Sequence, residues 1–288
     1  VWRIGAVQHR WHPDPDEHRE ALAAGVRAAA GAGARLVCLP ELTLSRYFAI
    51  TGPGAGPGPD PVPEPLPGGP THIFAAACAA EVGVPVVASC YEADPEGDRG
   101  WNTAICVAPD GTLLGRTRKL HLPVTAGYHE DRWFRPADAP GLPVRLDGVA
   151  VGLPTCWDQW FGELARHYAL TGADVLVYPT AIGSEPDHPD FDTQPLWQLV
   201  MRGHAVSNGL FVVAANRVGT ETCGDRSITF YGSSFVCDPY GRVLVEAPRD
   251  EPAVIVADCD LDQRRDWLEL FPLLATRRPD AYGRLTQP

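Results

Sequence analysis

Three side chains of reactive type each stand directly after an apolar or β-rich run. Glu41 follows "LVCLP", Lys119 follows "LLGRTR" and Cys156 follows "VGLPT". Active groups in open α/β sheets collect at the carboxyl ends of strands. A carboxylate, an ammonium and a thiol therefore converge if the three strands are neighbours. Taken singly, each has an ordinary explanation: Glu41 caps a turn, Lys119 is a solvated strand end, Cys156 is a small core residue. As a set they make a nucleophilic site.

The thiol constrains the chemistry. With a pKa of ~8.5 it is mostly protonated at pH 7. A helix beginning after Trp157 is expected to aim its N-terminus at Cys156, yet such a dipole contributes only about 0.3–1 kcal/mol, less than one pKa unit. Activation then needs Glu41 to take the proton, or Lys119 to hold the thiolate. Lys119 and the Trp157 backbone N–H would bind the oxyanion, where loss of one donor typically costs ~2.7–4 kcal/mol. The result of attack is a thioester that water must hydrolyse.

The elements that must position these groups can be read along the chain. "VWRIGAVQ" is a strand, and "DPDEHREALAAGVRAAAGAGA" a helix with Asp14 as cap, Pro15 in the first position and Glu17 completing a capping box. "RLVCLPE" is a buried strand ending at Pro40. Residues 51–70, "TGPGAGPGPDPVPEPLPGGP", are too rich in Gly and Pro for a regular element; they form a long loop, with a lid beside a pocket as the functional alternative. "THIFAAACAAEVG" is helical and "VPVVASCYE" a strand. "WNTAICVAPDGTLLGRTRKLHLP" is a hairpin across "PDG". "GVAVGLP", "DQWFGELARHYALTG" and "ADVLVYPTA" read strand, helix, strand. "TQPLWQLVMRGHAVSNG" is a helix, "LFVVAAN" a strand, "FYGSSFVCDPYGRVLVEA" a hairpin at "DPYG", and "PAVIVADCDL" a last strand before a polar tail at about 262–288.

"GARLVCLPEL" and "GADVLVYPTA" echo one another, and each follows a strand and a helix. The chain thus reads as two β-α-β halves with hairpins. Two mixed sheets face to face with helices outside would bury all the apolar strands, giving a four-layer αββα sandwich in one domain over 1–288.

Charge and cysteines narrow the function. Lys and Arg number 24 against 36 Asp and Glu, a net charge of -12. That disfavours nucleic acid and anionic membranes and is compatible with a cationic substrate. The eight cysteines include no C-x-x-C, and most lie in apolar runs, as suits free thiols in a reducing compartment. Residues 1–15 lack a basic start followed by an apolar run, and no run approaches the ~20 apolar residues of a membrane span. No signal peptide is expected, and a cytoplasmic location is. His121, His129, His167 and His204 form no H-x-x-x-H or Cys/His cluster, so neither metal nor other cofactor is expected.

"LPEL" at 39–42, "RKLHLP" at 118–123 and "LPTCWDQWF" at 153–161 resemble the nitrilase superfamily of carbon–nitrogen hydrolases, nearly end to end. "YPTAIGSEP" at 178–186, "NRVG" at 216–219, "FYGSSF" at 230–235 and "RRPDAY" at 277–282 are similar to its branch acting on N-carbamoylputrescine. The resemblance implies an αββα sandwich and a Glu-Lys-Cys triad, with Glu41 the general base, Lys119 the oxyanion lysine and Cys156 the nucleophile. It makes Glu130 a second glutamate that positions the lysine and the substrate amide. It places Tyr47, Trp157, Thr180 and Glu185 around the pocket, with Glu185 facing a distal ammonium and Asp187 and Asp190 as nearby alternatives. It implies a homodimer or larger homo-oligomer.

The sequence departs from that pattern at Pro154 and Thr155, in the loop at 51–70, and at Trp101, where a tyrosine is common. The loop and Trp101 are expected to border the pocket. The leading expectation is hydrolysis of N-carbamoylputrescine to putrescine, carbon dioxide and ammonia, or of a related linear, cationic ω-amino or guanidino amide, with polyamine synthesis as the setting in the first case. An ω-amidase, β-ureidopropionase or D-carbamoylase is the alternative, but those take carboxylates, and "GSEPDHPD" is acidic. A secondary-metabolism amidase and an inactive binding scaffold are the others.

Overall fold

A computed structural model describes residues 1–56 and 59–287; residues 57, 58 and 288, in the loop and tail named above, lie outside the described residues. The first half runs β1 (Trp2–Arg10), α1 (Pro15–Gly31), β2 (Val37–Cys38), α2 (Pro70–Val82), β3 (Val86–Glu92), β4 (Trp101–Val107) and β5 (Leu113–Arg118). The second runs β6 (Val144–Leu146), β7 (Val149–Gly152), α3 (Gly162–Leu170), β8 (Val175–Pro179), α4 (Gln194–Asn208), β9 (Phe211–Ala215), β10 (Arg217–Cys223), β11 (Arg226–Tyr231), β12 (Phe235–Cys237) and β13 (Val243–Glu246). β14 (Ala253–Cys259) and α5 (Asp262–Leu270) follow.

Two mixed sheets form. One has the order β11-β10-β1-β2-β3-β4-β5, with β14 also antiparallel to β1; the other has the order β13-β12-β9-β8-β7-β6. Strand alternation explains why they stack. Val175, Val177, Phe211 and Val213 enter the space between the sheets, where they meet Ile4, Ala6, Cys38 and Val87. Their neighbours Leu176, Tyr178, Val212 and Ala214 turn outward and are covered by Leu164, Tyr168, Trp197 and Met201 of α3 and α4. α1 and α2 cover the other sheet with Leu22, Val26, Ala75 and Ala79. Strands buried on both faces must be apolar throughout, and each fully buried large aliphatic chain contributes roughly 1.5–3 kcal/mol. The αββα sandwich forms as expected.

The echo between the two halves is real: β1-α1-β2 and β7-α3-β8 are both parallel units. Asp14 caps α1 by accepting the N–H groups of Asp16 and Glu17. Other local expectations need correction. "RLVCLPE" pairs as a strand only at Val37–Cys38, because the chain then turns, with Leu42 at φ 48°. The helix expected from Asp158 is a 3₁₀ turn, Cys156–Trp160, followed by α3 from Gly162. The two are separated by Phe161, whose extended backbone (φ -106°, ψ 102°) breaks the helical path. No α-helix N-terminus therefore begins at Trp157. The expected hairpin from Phe230 is β12–β13 only, since Phe230–Tyr231 ends β11. The rest of the β10–β11 hairpin lies outside the elements read from sequence, and part of the polar tail forms α5, pinned by the Trp267 indole N–H donating to Val206 O at 2.8 Å.

Pro154 lies beyond the end of β7, so it removes no ladder hydrogen bond. Trp101 faces away from Asn102, as alternation requires; the Arg118 guanidinium stacks on its ring at 3.3 Å, so it does not line the site. In the described part of the 51–70 loop, Glu64 joins the end of β3 and caps α2, and Thr51 packs on Trp133 and Cys223. Among the described residues no helix is long and apolar enough to cross a membrane.

Candidate active site

Glu41, Lys119 and Cys156 meet near the carboxyl ends of β2, β5 and β7. Lys119 is fully buried, as are Glu41 and Glu130. Its Nζ donates to Glu41 Oε1 at 2.8 Å and to Glu130 Oε1 and Oε2 at 2.9 and 2.8 Å. Burial alone would pull the ammonium down, but the two carboxylates outweigh it and hold Lys119 above its ordinary value. For Glu130 burial dominates: the carboxyl is pushed up to about 7, with Lys119 opposing the rise. Burial thus favours the protonated Glu130 carboxyl more than in an exposed carboxylate.

Glu41 is oriented from two sides. Asn102 Nδ2 donates to its Oε1 at 2.7 Å, and its backbone N–H donates to Thr180 O at 3.4 Å. Oε1 therefore has two donors, while the buried Oε2 has no hydrogen-bond partner among the described residues. Oε2 is the oxygen left to accept a proton.

Cys156 is 5% exposed and adopts φ 36°. A non-glycine residue in that region costs on the order of 1–3 kcal/mol and persists only where its surroundings enforce it. Here Asp158 does so. It accepts the N–H of Thr155 at 3.1 Å, the N–H of His121 at 3.0 Å and the His121 Nδ1 at 2.8 Å. Asp158 thereby ties the sharp turn at Cys156 to the segment leaving Lys119. From the other side, Trp197 Nε1 donates to Gln159 Oε1 at 2.6 Å, and His204 Nε2 lies 2.8 Å from Gln159 O. His204 is a hydrogen-bonded packing residue, as expected. Burial first, then the charge of Glu41, raise the Cys156 thiol well above its ordinary value, with Lys119 opposing. Burial thus favours the neutral thiol over the thiolate.

The remaining sequence candidates divide. Tyr47 joins the cluster directly, its hydroxyl donating to Glu130 Oε1 at 2.7 Å. Trp157 is partly exposed and forms a wall with Tyr128 and Trp160, at ring separations of 6.5 and 6.3 Å. Thr180 spends its hydroxyl on Tyr178 O at 2.9 Å, so it contributes backbone, not a free hydroxyl. Glu185 is half-buried, accepts from Thr193 Oγ1 at 3.0 Å, and is raised by burial. The Tyr128 and Tyr231 hydroxyls lie within electrostatic reach of both Glu185 and Cys156. Asp187 is exposed and paired with Arg226 at 2.6 Å, and Asp190 is exposed. A cavity of ≈ 300 Å³ adjoins Tyr231 and Thr193, lined also by Asp190, Asp192, Asp250 and Arg249. Asp192 occupies both terminal nitrogens of Arg249, at 2.9 and 2.8 Å, so this cavity, which none of Glu41, Lys119, Glu130 and Cys156 lines, is acidic.

Sequence reasoning missed Asn102, Asp158 and Tyr128. Only Asp158 left a signal: a carboxylate two residues past the cysteine, in a position to cap the turn.

Residues 3–269 match the carbon-nitrogen hydrolase family model. The chain belongs to the carbon–nitrogen hydrolase family. This carbon–nitrogen hydrolase is 38% identical over 261 residues to an N-carbamoylputrescine amidase of Solanum lycopersicum, covering 89% of this chain and 85% of that one. It is 34% identical over 285 residues to a citrullinase of Francisella tularensis subsp. tularensis, covering 99% and 98%. A carbon-nitrogen hydrolase of Helicobacter pylori G27 shares its fold with a TM-score of 0.87 at 32% identity, over 99% of this chain and 98% of that one. The protein is a hydrolase acting on amides.

Proposed function

We propose that the enzyme hydrolyses a linear terminal urea or amide that carries a distal ammonium, with N-carbamoylputrescine as the first substrate. The observation that carries this reading is the half-buried Glu185 carboxylate, which shares two tyrosine neighbours, Tyr128 and Tyr231, with Cys156. Glu41 Oε2 takes the thiol proton as Sγ attacks the carbonyl carbon. Lys119 Nζ and the Trp157 N–H receive the negative oxygen. The proton passes from Glu41 to the departing nitrogen, and ammonia leaves. Water, deprotonated by Glu41, then cleaves the acyl–sulfur bond and restores the thiol. For a carbamoyl amine the product is a carbamic acid, which decays to carbon dioxide and the free amine.

Both named relatives point to a terminal urea on a short chain with an amino group. They differ in the carboxylate that citrulline bears. The acidic cavity beside Tyr231, whose Arg249 is already held by Asp192, favours the substrate without it. Ammonia release should be measured from N-carbamoylputrescine, citrulline, N-carbamoyl-β-alanine, an N-carbamoyl-D-amino acid and a linear primary amide. N-carbamoylputrescine is expected to give the highest kcat/KM; a carboxylate-bearing substrate in first place would overturn the reading.

Glu185→Gln isolates the cationic contact. A hydrogen bond to a charged group contributes about 1.5–3 kcal/mol, so KM for N-carbamoylputrescine is expected to rise roughly 10–100-fold while kcat changes little. An unchanged KM would remove Glu185 from ammonium binding.

A further inference from the structure

A ring of hydrogen bonds closes behind the site. Arg217, the first residue of β10, is wholly buried. Its Nη2 donates to the carbonyls of Glu41, Leu42 and Ser45 at 2.7, 2.8 and 2.8 Å. Its Nη1 donates to Glu221 Oε1 at 2.8 Å. Glu221 Oε2 in turn accepts the backbone N–H of Tyr47 at 2.6 Å. The Tyr47 hydroxyl reaches Glu130, and Lys119 joins Glu130 back to Glu41. Both carboxylates on Lys119 are thus suspended from one buried ion pair on β10, one strand beyond β1 from the end of β2.

Such a pair is costly to bury, and apolar side chains could fill the same volume. Its position explains why charge is used. The chain leaves β2 through a turn with Leu42 at φ 48°, so the carbonyls of Glu41, Leu42 and Ser45 converge. Buried carbonyls without strand partners require a donor, and one planar guanidinium satisfies three together while a second nitrogen reaches Glu221.

We infer that Arg217 and Glu221 are positioning residues for hydrolysis. The pair fixes the Glu41 backbone and, through Tyr47, the Glu130 carboxylate, so that both acids bind Lys119 while Glu41 Oε2 stays free for the Cys156 proton. The inference rests on the proposed reading of Glu41 as the base.

Iodoacetamide alkylation of Cys156, located by peptide mapping in the whole protein at pH 7, tests it without reference to substrate. Because burial holds the thiol protonated, Glu41→Gln is expected to slow alkylation about tenfold or more. Glu221→Gln, which unbalances the ring without touching the sulfur, is expected to slow it roughly 10–100-fold, as misplacement of a reacting group does. It should lower kcat for ammonia release in parallel and leave KM within about twofold. The double variant should react within about twofold of the slower single variant, since residues acting through one another are not additive. Glu221→Asp keeps the charge opposite Arg217 while withdrawing from Tyr47, and should show the same non-additivity if Glu221→Gln does not fold. Wild-type alkylation in the folded Glu221 variant, or effects that multiply in the double, would overturn the inference and leave the pair a structural one. Wild-type alkylation in Glu41→Gln alone would overturn the base assignment and the inference together.

Discussion

Cys156→Ala is expected to abolish ammonia release while leaving the fold intact. Loss of a covalent nucleophile from a cooperating group costs on the order of 10⁵–10⁶-fold in kcat. No other cysteine is placed to substitute, because Cys156 is the one whose thiol lies within electrostatic reach of Glu41, Lys119 and Glu130. The fold should survive because the turn is held by Asp158 through Thr155 and His121, not by the sulfur. Sγ itself makes one weak contact, 3.9 Å from Ala181 O. The check is ammonia release at saturating N-carbamoylputrescine beside a thermal melt. Activity within about tenfold of wild type would remove Cys156 from the chemistry, since nucleophile loss is never so mild.

Lys119→Met is expected to damage both activity and stability, with a pH signature. Loss of one oxyanion donor costs ~10²–10³-fold in kcat, and the Glu41 base loses its partner as well. Removing one member of a buried charge cluster destabilises by about 3–5 kcal/mol, because the remaining charges are left uncompensated. Here two carboxylates, Glu41 and Glu130, would face each other in a dry site. Burial already pushes Glu130 up to about 7 with Lys119 opposing; without Lys119 it rises further. A carboxyl whose folded pKa lies above its unfolded value binds more protons when folded. Stability then falls as pH rises above the unfolded value of about 4.3. The variant should therefore melt lower at pH 8 than at pH 5, relative to wild type at the same pH values. An equal deficit at both would show that the two acids do not depend on Lys119 for their charge.

Much of the architecture was legible because strands buried on both faces are apolar without interruption. β8 and β9 could hardly be read otherwise, while β14 showed instead as alternation between buried and exposed residues. The ends of those runs then located Glu41, Lys119 and Cys156. What resisted reading was set by contacts distant in sequence. Phe161 splits the expected helix through its backbone conformation, which its residue type does not announce. β10 and β11 carry polar side chains such as Thr220 and Thr229, so their pairing shows little apolar pattern. Glu130 looks like any charged loop residue until Lys119 lies against it. Arg217 and Glu221 read as an ordinary polar stretch, because their burial depends on a turn about 175 residues earlier. Side chains that react stand at element ends and can be found there; the groups that orient them answer to geometry that only the folded chain supplies.

The most direct test of the account follows ammonia, free amine and the mass of the enzyme through the first turnover of N-carbamoylputrescine, stopped by rapid acid quench. The expected result is an early release of ammonia, approaching one equivalent per site, ahead of putrescine. A mass increase equal to the substrate less ammonia should accompany it, located on the peptide bearing Cys156. Ammonia and putrescine appearing together from the start with Cys156 unmodified, or an adduct on any other residue, would contradict it.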